Sequence, residues 1–523
     1  MPVVSQFLIE RLHNLGIKHI FTVTGEFVAP LLKKAINSNI EVISTVDETG
    51  AAFAADKYAR QKGAGCVVTN YSVGTLKIIG QIACAYAEKS PVIVLSGSYK
   101  NANKSQREIF EKITCYSAVL SNPSNIGYQI DAAIEAMKHF KQPVYLELPI
   151  DLADKAISYD VYKHGTPDAP KSDPENLEEA IAEAVQWLSG SERPVIIAGI
   201  EAARFNLGQK ILKFAEKTNI PVVSTMLSKS VVDERNPLCA GVYSGDSSES
   251  FVKNLVDGSD CLLMLGVIRG DTSLQNLSGK LDKKNIIACS IDTLHIKNHI
   301  YDNVKFDDFT TALFKSDIKS KKFNRVEKPV QLFEITENKL TTDRLFEQVD
   351  RIITKNNIVV CDTGNCLFAG SRLLNLSENM FLGDAMYSSM GMAIPGCLGV
   401  AMARPDLRPI VFIGDGAFQM SAMELSAIAK RKLSPIIIIL NNGGYATERI
   451  GCDGPFNDIL NANYHKIVDF LGYGSGVLVS NEVELQSALN VALTKNELYI
   501  INAVVEKNDI SSVLKNSLSR KGQ

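Results

Sequence analysis

The chain has 523 residues, of which 46% are hydrophobic and 22% are charged, and its formal net charge is −3. At roughly 150 residues per domain, this length predicts about three domains. The charge balance offers no basic excess for binding nucleic acid, and no apolar run reaches the ~18 residues of a membrane span. The ten cysteines show no metal-binding spacing, so we interpret them as reduced core residues. We therefore expect a cytoplasmic protein without nucleic acid or membrane partners.

The first part of the chain, residues 1–160, alternates short β-like runs with helical patterns. Residues 1–16 have the spacing of an amphipathic helix. The apolar runs that follow lie at residues 20–23, 42–43, 66–69, 91–95 and 143–148. Because strands that alternate with helices are typical of βαβ units, this region predicts an α/β domain with a parallel sheet.

The same alternation occurs twice more along the chain. A polar linker at residues 158–174 leads into a second predicted domain over 175–315, and a Lys-rich linker at 315–329 leads into a third over 335–523. The predicted fold class is therefore α/β, with three consecutive doubly wound parallel-sheet domains. The middle domain has no Gly-x-Gly-x-x-Gly motif, so we do not predict a nicotinamide or flavin there.

Polar residues follow two successive apolar runs of the third domain. The run at 409–413 ends in Gly-Asp-Gly, which places Asp415 at the carboxyl end of a strand, and the run at 435–440 ends in Asn441 and Asn442. The intervening segment has the length of one helix and a return strand, so Asp415 and Asn442 are expected on neighbouring strand ends. With a carbonyl oxygen from Gly444, they form an all-oxygen set suited to Mg²⁺ or Ca²⁺.

Small residues surround the predicted metal ligands. Gly414, Gly416 and Ala417 allow the backbone to approach a phosphate, and the segment after them is expected to present a helix N-terminus to the anion. The alternative is an ordinary strand-helix-strand unit, because a single Gly-Asp-Gly turn is common in α/β proteins. The combination with the spacer and Asn-Asn favours a metal diphosphate site.

This combination resembles the cofactor motif of thiamine diphosphate enzymes. Three consecutive α/β sheets with the motif in the last one are the order found in the pyruvate decarboxylase group, which includes the indolepyruvate, phenylpyruvate and branched-chain 2-oxo acid decarboxylases. The resemblance implies thiamine diphosphate and Mg²⁺ as cofactors. It also implies a pyrimidine-binding first domain and a diphosphate-binding third domain, which different subunits of a homodimer or homotetramer contribute to each site.

The resemblance also assigns cofactor-binding residues. Glu48 matches the glutamate that hydrogen-bonds the aminopyrimidine ring, although the sequence alone favours a helix cap at this position. Met390 matches the apolar residue that holds the cofactor in its bent form. Thr363 and Asn365 match the loop that covers the pyrimidine, and Tyr445 lies in the metal segment.

Two further acids match positions of the family's catalytic groups. Glu448 lies six residues after Asn442, where the decarboxylases carry a glutamate that handles protons above the thiazolium. An exposed helical glutamate is the alternative for this residue. Glu26 stands where those decarboxylases usually have aspartate, so its carboxyl group is displaced by one methylene.

The sequence departs from the family at a pair of adjacent histidines. An ungapped alignment places Glu111 and Lys112 there, and no histidine lies between His19 and His139. In the family this pair helps position the substrate and move protons during aldehyde formation. Its absence leaves activation by Glu48 unchanged but favours slow protonation of the intermediate.

Three functional hypotheses follow from the resemblance. The first is a lyase that decarboxylates a 2-oxo acid to an aldehyde, with Glu48, Glu448 and Glu26 as catalytic residues. The second is a carboligase that couples the same acyl-anion intermediate to a second carbonyl, giving an acyloin or an acetolactate-like product. The third is a paralogue that binds the cofactor without catalysis. The side chain of the 2-oxo acid is left open.

Overall fold

The computed structural model describes residues 2–99, 106–157, 171–268, 271, 286–291, 293–324 and 333–518. Its strands form three sheets, one in each predicted domain. Much of the predicted linkers, at residues 158–170 and 325–329, lies outside the described residues, so the domain boundaries stay predictions. None of the described helices has the length and hydropathy needed to cross a lipid bilayer.

The first sheet contains six described strands in the order β2-β1-β3-β4-β6-β5, and all of its pairs are parallel. The strands are β1 (His19–Thr22), β2 (Glu41–Ser44), β3 (Gly65–Thr69), β4 (Val92–Ser98), β5 (Tyr116–Val119) and β6 (Val144–Pro149). The helices are α1 (Val4–Asn14), α2 (Ala29–Ile36), α3 (Glu48–Lys62), α4 (Ile79–Ala87), α5 (Arg107–Phe110) and α6 (Ile126–Phe140). The amphipathic helix predicted at the amino terminus is α1, which buries Phe7, Leu8 and Leu12.

The second sheet has the order β13-β12-β11-β10-β7-β8-β9 in the described part of the chain. Its strands are β7 (Pro194–Ala198), β8 (Val222–Thr225), β9 (Cys239–Tyr243), β10 (Cys261–Leu265), β11 (Ile286–Cys289), β12 (Leu294–Ile296) and β13 (His299–Tyr301). Its helices are α7 (Pro174–Gly190), α8 (Ile200–Arg204), α9 (Gly208–Thr218), α10 (Ser250–Asp257) and α11 (Phe306–Lys315).

The second sheet is mostly parallel, as predicted, and its described strands depart from parallel pairing at one edge. β12 pairs antiparallel with β11, and β13 pairs antiparallel with β12. The connections at this edge are too short for a crossover helix, so the chain returns as hairpins. Lys297 has a φ of 55°, which places it in the left-handed region that tight hairpin turns require.

The third sheet repeats the topology of the first, with the order β15-β14-β16-β17-β19-β18 and parallel pairs among its described strands. The strands are β14 (Asn357–Cys361), β15 (Phe381–Leu382), β16 (Arg408–Gly414), β17 (Ile436–Asn441), β18 (Ser475–Val479) and β19 (Tyr499–Val504). The helices are α12 (Thr342–Asp350), α13 (Asn365–Gly370), α14 (Ala393–Ala403), α15 (Asp415–Ser421), α16 (Leu425–Lys430), α17 (Ala446–Arg449), α18 (Ile467–Leu471), α19 (Glu482–Thr494) and α20 (Ser512–Leu518). Its strand order reverses between β14 and β16, where α/β sheets bind ligands.

Helices α3 and α14 join the first domain to the third. Most of α3 is buried, including its alanines. A Cβ atom at Gly399 of α14 would overlap the carbonyl oxygen of Ala54, and one at Gly396 would lie 2.8 Å from Cγ of Lys57. These small residues let the helix axes approach closely. One hydrophobic core consequently extends across both domains.

A buried cluster of charges lies beside this helix pair. Nζ of Lys57 donates to Oδ2 of Asp56 over 2.6 Å and to Oδ1 of Asp384 over 2.5 Å. Arg60 donates to the same two carboxylates over 2.9 Å, and its NH1 lies 3.5 Å from Oε2 of Glu88. The cluster links the first domain to the segment between β15 and α14, because buried charges require partners of opposite sign.

Glu88 fixes the start of that segment. Its Oε1 accepts hydrogen bonds from the backbone N–H groups of Met386 and Tyr387, over 2.7 and 3.1 Å. Burial raises the pKa of Glu88 to about 7, against an ordinary value of 4.5. The folded chain therefore binds this proton more tightly than the unfolded chain does. Its contribution to stability is complete below about pH 4.5 and is lost as the pH rises through about 7.

We predict that Glu88→Gln reduces this pH dependence. A glutamine keeps an oxygen for both backbone N–H groups but has no proton to lose. The variant should unfold at a more nearly constant temperature between about pH 5 and pH 8, while the unmodified chain loses stability over that range. Thermal unfolding followed by circular dichroism at several pH values tests this. An unchanged slope in the variant would show that Glu88 is not the titrating group.

Candidate active site

The predicted metal ligands meet at the ends of two paired strands. β16 and β17 are parallel neighbours, with Gly414 opposite Leu440. Oδ2 of Asp415 accepts hydrogen bonds from the N–H groups of Gly443 and Gly444, over 2.7 and 3.1 Å. Oδ1 of Asn442 accepts from the same Gly444 N–H over 3.2 Å. The structure thus brings Asp415 and Asn442 together, and their role as metal ligands stays a prediction.

Asp415 is only 1% exposed and begins helix α15, as the sequence predicts. Burial raises its pKa to about 6, and the backbone N–H groups that donate to it oppose this shift. A cation bound to a buried carboxylate compensates the negative charge that burial would otherwise destabilise.

Two glycines beside these residues allow neighbouring groups to pack closely. A Cβ at Gly416 would lie 2.5 Å from Cε1 of Tyr445, and one at Gly444 would overlap the carbonyl oxygen of Asn457. Gly444 also has a φ of 150°, a conformation that other residues adopt only with strain. Arg449 donates to the Asn457 carbonyl over 3.0 Å, so this turn is anchored on both sides.

The end of β14 holds the segment that carries Met390. Oδ1 of Asp362 accepts from the N–H of Gly391 over 3.0 Å, and Oδ2 accepts from the N–H of Ala393 over 2.8 Å. The hydroxyl of Thr363 donates to the carbonyl of Ser389 over 2.9 Å. Asp362 is fully buried, which raises its pKa to about 7. It lies at the reversal of strand order, next to the metal ligands.

Asn365 uses its amide for a different contact. Its Oδ1 accepts from the N–H of Ser511 over 2.8 Å, and its Nδ2 donates to the hydroxyl of Thr342 over 3.0 Å. The side chain therefore anchors the carboxyl-terminal segment to the body of the domain. Its predicted contact with a cofactor gains no support from these hydrogen bonds, and Thr363 is the better placed residue of the loop.

Glu48 is the first residue of α3, at the carboxyl edge of the first sheet. The preceding Asp47 caps the helix by accepting from the N–H of Thr49 over 2.8 Å. Nζ of Lys77 lies 3.0 Å from Oε2 of Glu48 and 2.5 Å from Oδ2 of Asp47. The helix-cap alternative thus applies to Asp47, and the Glu48 carboxylate is available for another role.

Glu424 of the third domain holds the segment before Glu48. Its carboxylate accepts from the N–H groups of Val46 and Asp47, over 3.2 and 3.0 Å. Burial raises the pKa of Glu424. A cavity of about 370 Å³ opens beside this contact. Its walls come from both domains and include Asp47, Thr49, Gly50, Met390, Gly391 and Glu424.

The other predicted residues are exposed. Glu26 follows β1, which neighbours β2 and therefore the segment of Glu48. Glu448 lies on α17, directly after the glycine turn. Glu111 and Lys112 are both exposed after α5, and Glu111 forms an ion pair with Arg107 over 3.8 Å. Neither Glu111 nor Lys112 is buried in a position to replace a pair of histidines.

The residues present fit a magnesium diphosphate. The side chains of Asp415 and Asn442 offer oxygen donors, which Mg²⁺ prefers. Among the described residues, no atom lies within 4 Å of the place where a Cβ of Gly414 would stand, so the backbone is open there. These features match the requirements of a phosphate held against the backbone at the end of a parallel strand.

Three residues that position the site were missed in the sequence analysis. Asp362, Glu424 and Lys77 hold segments that carry other site residues through hydrogen bonds. Asp362 had a usable signal, because an acid directly after a buried strand is expected at the ligand edge of the sheet. Glu424 and Lys77 act on residues remote in sequence, and no local pattern indicates such contacts.

Family models match all three domains. Residues 3–117 match the N-terminal TPP binding domain of thiamine pyrophosphate enzymes, residues 181–308 match their central domain, and residues 362–503 match their C-terminal TPP binding domain. Thiamine pyrophosphate is the synonym of thiamine diphosphate. These matches confirm the predicted cofactor and the order of the domains.

Similar proteins cover nearly the whole chain. Pyruvate decarboxylase 3 of Arabidopsis thaliana is 30% identical, over 98% of this chain and 92% of its own length. A probable pyruvate decarboxylase of Schizosaccharomyces pombe is 29% identical, over 98% and 95%. Pyruvate decarboxylase 1 of Pisum sativum is 29% identical, over 98% and 92%. The chain therefore belongs to the family of thiamine pyrophosphate enzymes that includes these pyruvate decarboxylases.

Proposed function

We propose that this protein is a Mg²⁺- and thiamine diphosphate-dependent lyase that decarboxylates a 2-oxo acid to an aldehyde. The observation that carries the proposal is the meeting of Asp415 and Asn442 at the Gly444 N–H, in a domain that matches the family's C-terminal cofactor-binding domain. The names of the similar proteins support decarboxylation of a small 2-oxo acid. The substrate side chain is left open.

Asp415, Asn442 and the Gly444 carbonyl would hold the metal, and Gly414, Gly416 and Ala417 would admit the diphosphate. When bound, thiamine diphosphate supplies a carbon nucleophile that adds to the substrate carbonyl and accepts the electrons released with carbon dioxide. Met390 lies beside Gly391, whose N–H is held by Asp362. This hydrogen bond fixes the Met390 segment, which would hold the cofactor in its bent form.

Proton transfer is assigned to carboxylates. Glu48 would share a proton with the cofactor's pyrimidine, which requires its carboxyl group to lie at the ring nitrogen. Glu26 and Glu448 are exposed; Glu26 follows β1 of the first sheet, and Glu448 lies on α17 of the third domain. They are the residues that we assign to proton transfer at the substrate, in the absence of the family's histidine pair.

We further propose that two copies of the chain assemble, as a homodimer or homotetramer, with sites between subunits. Large apolar side chains are exposed near both halves of the site. They include Val73 and Leu76 in the first domain, and Met420, Ile450, Phe456 and Leu460 in the third. Apolar surface of this kind near a site favours contact with another protein surface, and the two halves can then complete each other.

A second candidate function is carboligation. It is favoured by the exposure of Glu111 and Lys112, because no buried acid-base pair occupies this position to protonate the intermediate quickly. The intermediate would then react with an aldehyde or a second 2-oxo acid. The products separate the two functions. Incubation of purified protein with pyruvate, phenylpyruvate or a branched 2-oxo acid should release free aldehyde under the first proposal and a hydroxyketone without aldehyde under the second.

The metal assignment predicts a large effect of Asp415→Ala. Loss of even an outer-shell partner typically weakens metal binding by about 10- to 100-fold, so loss of a direct ligand should weaken it by about 100-fold or more. Isothermal titration of the protein with thiamine diphosphate, at several Mg²⁺ concentrations, measures the effect. Asp406→Ala is the matched control, because Asp406 is exposed and pairs with Arg404. Equal affinities in both variants would exclude Asp415 as a ligand.

Glu48→Gln should separate cofactor binding from activation. The glutamine keeps the shape of the side chain but cannot exchange the proton, so aldehyde formation should fall by about 10²- to 10⁴-fold. Exchange of the cofactor's C2 proton with deuterium, followed by NMR, should slow in parallel. The third hypothesis of an idle paralogue would be supported if the unmodified protein leaves this proton in place. Unchanged exchange in the variant would remove Glu48 from the mechanism.

A further inference from the structure

Lys77 is placed to control Glu48. It lies on the one-turn helix Leu76–Ile78 after β3, and its Nζ donates to Oε2 of Glu48 over 3.0 Å. Oε1 of Glu48 accepts no hydrogen bond from any residue that the structure describes. We propose that Lys77 is a positioning residue for Glu48, which binds one carboxylate oxygen and leaves the other to the cofactor's pyrimidine nitrogen. This inference rests on the proposed function.

The second contact of Lys77 keeps the ammonium in place. Oδ2 of Asp47 lies 2.5 Å from its Nζ, while Oδ1 of Asp47 accepts from the N–H and the hydroxyl of Thr49, over 2.8 and 2.7 Å. Asp47 is therefore fixed to the start of α3 and holds Lys77 from a rigid element. Binding two carboxylates at once gives a flexible lysine a defined position. The first contact already restricts the side-chain rotamers, so the second contact costs less conformational entropy.

The charged groups near Glu48 keep Lys77 in its protonated form. The described groups that face it or its helix start are Lys77, Asp47 and Glu424. Burial raises the pKa of Asp47, but the hydrogen bonds from Lys77 and Thr49 outweigh it and the net shift is downward. The hydrogen bonds to Asp47 and Glu48 raise the pKa of Lys77. Lys77 therefore stays charged and is the cation that offsets two adjacent carboxylates.

This arrangement has one consequence for the site. Removing the ammonium takes away the contact that orients the Glu48 carboxylate. Because the Lys77 side chain is about half exposed, the effect should be modest, since ion pairs that are open to solvent are weakened by screening.

A double-mutant cycle tests whether Lys77 acts through Glu48. We expect Lys77→Met to weaken thiamine diphosphate binding about fivefold in isothermal titration with Mg²⁺, and Lys77→Arg to restore most of the affinity. In the Glu48→Gln background, Lys77→Met should have no further effect, because the neutral amide has no charge for Lys77 to hold. Lys339→Met is the matched control, since Lys339 forms an exposed ion pair with Glu506.

The outcomes separate the two proposals. A protein that does not bind thiamine diphosphate overturns both. Normal binding with an equal Lys77→Met effect in the presence and absence of Glu48 overturns the positioning role alone. An arginine variant that binds thiamine diphosphate as weakly as the methionine variant also overturns the positioning role. Non-additive affinities that arginine restores support the role of Lys77.

Discussion

The contact between α3 and α14 is the constraint on which the arrangement of the first and third domains within one chain depends. α3 starts at Glu48 in the first domain, and α14 follows directly after the Met390 segment in the third. Because Gly399 admits the backbone of Ala54, the two helices cannot shift without opening the shared core. The position of Glu48 relative to the third domain is therefore set by packing, which tolerates little displacement.

Buried charges fix the relative orientation of the two packed helices. An apolar helix pair can rotate or slide at modest cost, but Lys57 and Arg60 must remain opposite Asp56 and Asp384 to avoid an unpaired buried charge. Glu88 then connects the same cluster to the backbone that leads towards Met390. The orientation of one helix is thus transmitted to the segment that shapes the cavity.

The sequence predicted the parts of this molecule that depend on local pattern. Apolar runs located β3, β4, β6, β16 and β17, and the Gly-Asp-Gly turn placed Asp415 beside Asn442. The sequence analysis missed β5, β9, β12, β13, β15 and β18, which are short or only partly buried, so they lack a long continuous apolar run. The contacts of Asp362, Glu424 and Lys77 connect residues that are remote in sequence, and only the fold brings them together. Asn365 shows a different limit of sequence analysis. An asparagine at a strand end can cap a turn, bind a ligand or anchor another segment, and only its hydrogen-bond partners distinguish these roles.

The proposed site carries an excess of negative charge. The residues assigned to it are mostly acids: Asp415, Glu48, Glu26 and Glu448. Both the cofactor's diphosphate and a 2-oxo acid are anions, so they would be repelled unless cations intervene. Under the proposed function, a divalent metal at Asp415 would offset this charge at the diphosphate end, and Lys77 would offset Asp47 and Glu48 at the pyrimidine end. Lys112 is exposed and supplies no fixed cation in the single chain. Among the described groups, backbone N–H donors are then available for the substrate carboxylate, and the cofactor's own positive ring or residues of a second copy would add to them. Of these, the positive ring acts on every 2-oxo acid alike, so selectivity among substrates has to arise from the shape of the surrounding walls.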